Sequence, residues 1–285
     1  MGAETDSYST FTSGGTALRS APLVTLIKAE PARKPVAPSR PTTSTAGAHP
    51  TASPIKAVLF DAEDVLYDAS AWYRWLTQVF ARIEPRNLEA DFAQQWQEEF
   101  LPAVHRGQEE FFAAFTRCLT TIGLAAGHVE EVVAAARAQR RRQEASMRPL
   151  PGVRSTLSHL RAAGIVLGIL AGTDRSATAL GRDVSRLGLE GSFDHTCTSI
   201  DLRINLADDR CYGRTLSKLR LVAAETLFVG HEARDLRGAQ SAGLWTVAFN
   251  ARQGVSGVMH INRFDELLEL VVPASVSTST ALSES

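Results

Sequence analysis

Three acids, Asp61, Glu63 and Asp64, come directly after the apolar run Ala57-Val58-Leu59-Phe60. A short β-branched and aromatic run of this kind reads as a strand buried on both faces of a parallel sheet. Ligands of open α/β sheets bind at the carboxyl ends of the strands. The spacing therefore places Asp61 where a carboxylate can attack or ligate a substrate, with a second carboxyl group, Glu63, two residues on. The plainer alternative is an acidic loop after a strand.

The rest of the chain supplies the elements that would position these acids. Residues 70–147 have helical character, with Trp72, Trp75, Leu76 and Val79 at helical spacing, then Phe92, Trp96 and Phe100, then Phe111, Phe112 and Phe115. These stripes read as core, and Pro85, Pro102 and the stretch 123–127 divide the segment into about four helices. From Pro149 onward strands and helices alternate. Strands are expected at 165–170, 193–199, 226–229 and 246–249. Helices are expected at 152–161, 176–187, 212–219, 235–242 and 265–271. That alternation predicts an α/β fold, a doubly wound, Rossmann-like parallel sheet.

At 285 residues, 44% hydrophobic and with a net charge of −1, the chain has no domain-wide basic field for nucleic acid. The run Arg137 to Arg142 reads as the solvated end of a helix. No apolar run is long enough to span a bilayer and no secretory leader is visible, so a cytoplasmic location is expected, with no membrane partner. The three cysteines, Cys118, Cys197 and Cys211, have no metal-type spacing and read as buried thiols. Residues 1–54 and 274–285 are expected to be disordered tails. The apolar island 21–28 reads as a chance patch, with a docking segment as the alternative.

The order of these motifs resembles the haloacid dehalogenase (HAD) superfamily, in its helical-cap, phosphoglycolate phosphatase-like branch. The resemblance rests on Asp61-Ala62-Glu63-Asp64-Val65, on Pro149 to Val153 with Leu157, Leu160 and Gly164, and on Phe228-Val229-Gly230 with Asp235, Gly238 and Gly243 beyond it. It implies an α/β core over 55–69 and 148–273 with an all-helical cap, 70–147, inserted between them. It also implies Asp61 as the nucleophile that forms an aspartyl-phosphate, and Glu63 as the acid and base.

The remaining stations depart from that pattern. The Ser or Thr that binds the phosphoryl group falls on Ala171, with Thr173 displaced by about 6.6 Å if the strand continues. Thr173 as a cap of the next helix is the competing reading. The family's lysine falls at Leu206-Ala207, leaving Arg203, Arg210 and Arg214 as nearby cations, of which Arg203 and Arg210 join Thr173 as candidate phosphate ligands. The metal motif reads Gly230-His231-Glu232-Ala233-Arg234-Asp235, so candidate Mg²⁺ ligands are Asp61, Glu63, Asp235 and His231, with Glu232 as a further acid. For His231 a purely structural role is the simpler reading.

Two functions stay open at this point. One is an eroded HAD-like protein, weakly active or non-catalytic, with a binding or regulatory role. The other is an active Mg²⁺-dependent phosphomonoesterase on a small phosphate ester. Dehalogenase chemistry without metal is a third and more distant possibility. The expected partner is a small phosphorylated metabolite, or a protein bound through the N-terminal tail.

Overall fold

A computed structural model of the chain describes residues 55–83, 88–251 and 256–272. The expectations for residues 1–54, for 274–285 and for Pro85 lie outside those residues.

Six strands, β1 (Ala57–Phe60), β2 (Val166–Ala171), β3 (His195–Thr198), β4 (Thr226–Gly230), β5 (Trp245–Phe249) and β6 (Met259–Ile261), form one parallel sheet ordered β3-β2-β1-β4-β5-β6. Four of them are legible as apolar runs, and β3, His-Thr-Cys-Thr, falls in the expected strand 193–199 without being one. The sixth has three residues and an exposed His260 at its centre, so it leaves no pattern in the sequence. In β1, Val58 and Phe60 join one apolar layer while Leu59 joins the other, as alternation along a strand requires. Phe60 stacks on Phe264 in the first layer, with ring centroids 5.7 Å apart. In the second, Tyr212 meets Phe228 edge to face at 5.2 Å.

The chain winds from β1 toward β2 and β3 on one side, and later toward β5 and β6 on the other. The reversal falls between β1 and β4, which is where a sheet of this type opens a crevice. Phe60 is level with Ile169 and Val229, so Asp61 leaves the sheet at that opening.

Between β1 and β2 stands the helical cap. It comprises α1 (Ser70–Ile83), α2 (Leu88–Gln95), α3 (Leu101–His105), α4 (Phe111–Thr121) and α5 (Ala126–Ser146). Pro102 does not break the chain as its residue type suggests. A π turn, Trp96–Phe100, runs straight into α3, and Pro102 falls in that helix's first turn. A missing N–H is tolerated in a first turn, where the donor has no intrahelical partner. Trp72, Phe92, Trp96, Phe111 and Phe115 fill the cap interior, their facing rings 5.2–5.7 Å apart between centroids. The helical stripes read as core are buried except for Trp75 and Phe111, which are half-buried.

The sheet is covered by α6 (Val153–Ala162), α7 (Ala177–Arg186), α8 (Ser199–Leu202), α9 (Asp209–Leu219), α10 (Ala233–Ser241) and α11 (Glu266–Val271). Gly152 precedes α6 with φ of +82°, a left-handed conformation that costs glycine little. Cys118, Cys197 and Cys211 are buried free thiols. Among the described residues no helix is long and apolar enough to cross a membrane.

Candidate active site

The end of β1 carries the first acids. The Asp61 amide donates to the Val229 carbonyl at 2.9 Å, which holds the chain against β4 as it leaves the sheet. The Asp61 carboxyl is buried and accepts one bond, from the Ala62 amide at 2.8 Å. Burial pushes this carboxyl up to about 8, against the opposing pull of His231 and with help from Asp235. Burial likewise raises Glu63 to about 7, aided by Asp174 and opposed by Arg140. Asp64 does something different. With φ of +54° it turns back, and its Oδ1 accepts from the Ala69 and Ser70 amides at 2.8 and 2.9 Å. It fastens the chain where the cap begins.

The end of β2 offers no hydroxyl at its last residue, because Ala171 is fully buried and apolar. The strand stops there, so Thr173 is not an extension of it. Thr173 is 1% exposed, its amide donates to Ser199 Oγ at 3.1 Å, and its hydroxyl accepts from the Arg175 amide at 3.3 Å. Its groups lock the loop onto α8. The cap of α7 is Ser176, which accepts from the Ala179 amide at 3.3 Å. Thr173 thus ties down this loop, and the cap of the next helix is Ser176 rather than Thr173.

Leu206, at the position expected for a lysine, is buried against a cavity of about 80 Å³ whose walls include Pro102, His105, Gly172, Arg234 and Asp235. Its carbonyl lies so close to α10 that a Cβ on Gly238 would come within 2.3 Å of the oxygen. Arg203 and Arg210 are exposed and line a separate open cleft of about 470 Å³ with Arg106 and Asp208. Arg210 is held by Asp208, its Nη2 lying 2.5 Å from Oδ2.

The end of β4 supplies His231 and Asp235. His231 Nδ1 faces Asp61 Oδ2 at 3.6 Å, while Nε2 faces Glu232 Oε1 at 3.4 Å and Asp64 Oδ2 at 3.9 Å. Burial works against a charge on this ring. The bond with Glu232 and the carboxylate of Asp61 outweigh it and carry His231 up to about 9. Nδ1 is buried and makes no hydrogen bond among the described residues. The simpler reading of His231 as a satisfied structural residue therefore does not hold for that atom. Asp235, in the first turn of α10, is raised to about 6, chiefly by burial.

Mg²⁺ requires near-octahedral oxygen donors around an open centre. Here the imidazole of His231 stands among the acids that would have to converge. No group of three His, Cys, Asp or Glu among the described residues is arranged to hold a metal. The donors as placed do not fit Mg²⁺.

Further residues reach the site from elements whose part in it the sequence does not reveal. Arg140, on α5, donates to Asp174 Oδ1 at 2.8 Å and lies 4.5 Å over the Phe111 ring. Arg137, Arg141 and Arg142 are exposed, as a solvated run requires, and Arg137 also lies 4.1 Å over Phe112. Glu144, one turn beyond Arg140, pairs with Arg175 of the β2–α7 loop. The spacing of Arg137, Arg140 and Glu144 by three and four residues is the signal that they share a face. His105, from the cap, and Arg234 both line the cavity. Burial, then Arg234, depress His105 to about 4, leaving it neutral.

A family model described as haloacid dehalogenase-like hydrolase matches residues 55–243. A glyceraldehyde 3-phosphate phosphatase of Methanopyrus kandleri is 30% identical over 199 residues, covering 68% of this chain and 83% of that protein. One of the same name from Methanocaldococcus jannaschii is 31% identical over 104 residues, 36% of this chain and 45% of that protein. Among solved structures, a dehalogenase superposes with a TM-score of 0.57 at 22% identity, over 77% of this chain and 98% of that one. A HAD-superfamily hydrolase, subfamily IA, variant 1, from Geobacter sulfurreducens gives 0.53 at 19% identity, over 80% and 100%. At these identities the structural likenesses speak for the fold alone.

Proposed function

Because the chain belongs to the haloacid dehalogenase-like hydrolases, we propose that its rim pocket recognises a small phosphorylated metabolite in a binding or regulatory role, with phosphoryl transfer weak or lost. The observation that carries this reading is Leu206, an aliphatic side chain in the wall of the cavity where a transferring phosphate needs a cation. Preorganised charge opposite a developing anion is usually the largest contribution to such a rate. Ala171 removes a further donor, and burial disfavours the ionised form of Asp61 that a nucleophile needs. Arg234 remains to attract an anion, and the cavity's size keeps that anion small.

A second reading has its own support in Glu63. A carboxyl group titrating near 7 suits an acid that protonates a leaving alcohol and then activates water. In that reading the Asp61 carboxylate attacks phosphorus while the ester P–O bond breaks and Glu63 gives its proton to the departing oxygen. Water then hydrolyses the aspartyl-phosphate. The relatives named glyceraldehyde 3-phosphate phosphatase point to a triose phosphate or similar small ester as its substrate.

Turnover of p-nitrophenyl phosphate separates the two. The binding reading expects wild type and Asp61→Asn to give the same background rate, while inorganic phosphate raises the melting temperature of the wild type by mass action. A Mg²⁺-dependent rate abolished by Asp61→Asn overturns it in favour of the phosphatase.

A further inference from the structure

The misfit between the rim and a divalent cation stems from where one ring lies. Asp61 and Asp64 come from the end of β1, and Glu232 and Asp235 from the end of β4. Acids gathered at one crevice repel one another unless something basic stands between them. The ring of His231 stands there, 3.6 Å from Asp61, 3.9 Å from Asp64 and 3.4 Å from Glu232. Its Nδ1 is buried, makes no hydrogen bond among the described residues, and faces Asp61. Less than an ångström of approach would complete a bond of ordinary length.

We infer that His231 is a built-in substitute for a divalent cation, its ring filling the space between the β1 and β4 acids so that the pocket excludes metal and takes up its anion without one. The exclusion is steric and chemical together. A hard cation would have to displace the ring and would gain a nitrogen ligand in place of an oxygen. The anion half rests on the binding reading under Proposed function, whereas the metal half does not.

Manganese, a paramagnetic stand-in for magnesium, tests it with the full-length chain. Titrated with wild type, the free Mn²⁺ signal in electron paramagnetic resonance should stay undiminished. With His231→Asp it should fall by one equivalent per chain, because the substitution both vacates the space and adds a carboxylate. Circular dichroism verifies folding, and His231→Asn, a smaller neutral side chain with an oxygen donor, serves if the first variant is unfolded. Stoichiometric Mn²⁺ binding by wild type, lost in Asp61→Asn, overturns the inference. So does failure of both folded His231 variants to bind, since the ring is then not what excludes the ion. In parallel, inorganic phosphate should raise the wild-type melting temperature equally with and without EDTA. No shift in either condition sinks the binding reading while the manganese result still decides the role of His231.

Discussion

In the cap, Trp72, Phe92, Trp96, Phe111 and Phe115 pack ring against ring, and the charged groups that reach them, Arg137 and Arg140, do so over ring faces. At the rim below, Asp61, Asp235 and much of His231 are also shielded from water, yet the closest approach of the His231 and Asp61 side chains is 3.6 Å, beyond hydrogen-bond length. Both regions are withdrawn from solvent. One is held chiefly by apolar contact, while the other holds groups whose charged forms burial disfavours. The difference teaches where this molecule is stabilised and where stability is surrendered, a division expected at a functional site.

The largest effect should come from the favourable side. Phe115 is fully buried against the rings of Trp72, Phe92, Trp96 and Phe111, and Phe115→Ala should lower stability by about 3–5 kcal/mol, read from the urea midpoint. A loss below about 1 kcal/mol would remove the cap interior from its place in the comparison.

The unfavourable side should respond in the opposite direction. Asp61→Asn should stabilise the protein by about 1–2 kcal/mol near pH 8. The sign comes from the raised carboxyl. Between its ordinary value of 3.8 and about 8 the folded state holds a proton that the unfolded state has released, so wild-type stability declines as pH rises through that window. The advantage of the variant should therefore grow from about pH 4 to pH 8 and then level off. Thermal melts across that range measure it, and a variant less stable at pH 8 would mean that the Asp61–His231 pair stabilises the fold.

The smallest effect belongs to His105, where cap and rim meet. Its depressed value, about 4 against the usual 6.5, makes its contribution fully present above 6.5 and lost as pH falls toward 4. In His105→Gln that acid-side loss should shrink by about 1 kcal/mol, seen as a difference between the two pH–stability curves. Identical curves would place His105 in water rather than against Arg234.

What the sequence disclosed divides along the same line. Apolar strands such as 226–230 and aromatic stripes such as 111–115 announce themselves through period, because burial of a face dictates residue type at fixed intervals. Asp61, Glu63 and Asp235 are legible because they sit at strand ends and helix starts. Arg140 and His105 are not, since each approaches the rim from a distant helix and no local spacing encodes that meeting. Nor does spacing reveal that the chain turns after Ala171 and brings the Thr173 amide and carbonyl onto Ser199. Pro102 misleads because a π turn has already disturbed the helix ahead of it.

That π turn sets the aim of the residues beyond it. One extra residue in a turn rotates everything downstream by about 100° around the helix axis. Trp96 and Phe100 face the aromatic interior, and five residues after Phe100 His105 faces the cavity instead. Deleting a single residue between 96 and 100 would swing His105 off the cavity while leaving the rings upstream in place. Pocket lining in this chain is thus open to change by insertion and deletion as well as by substitution.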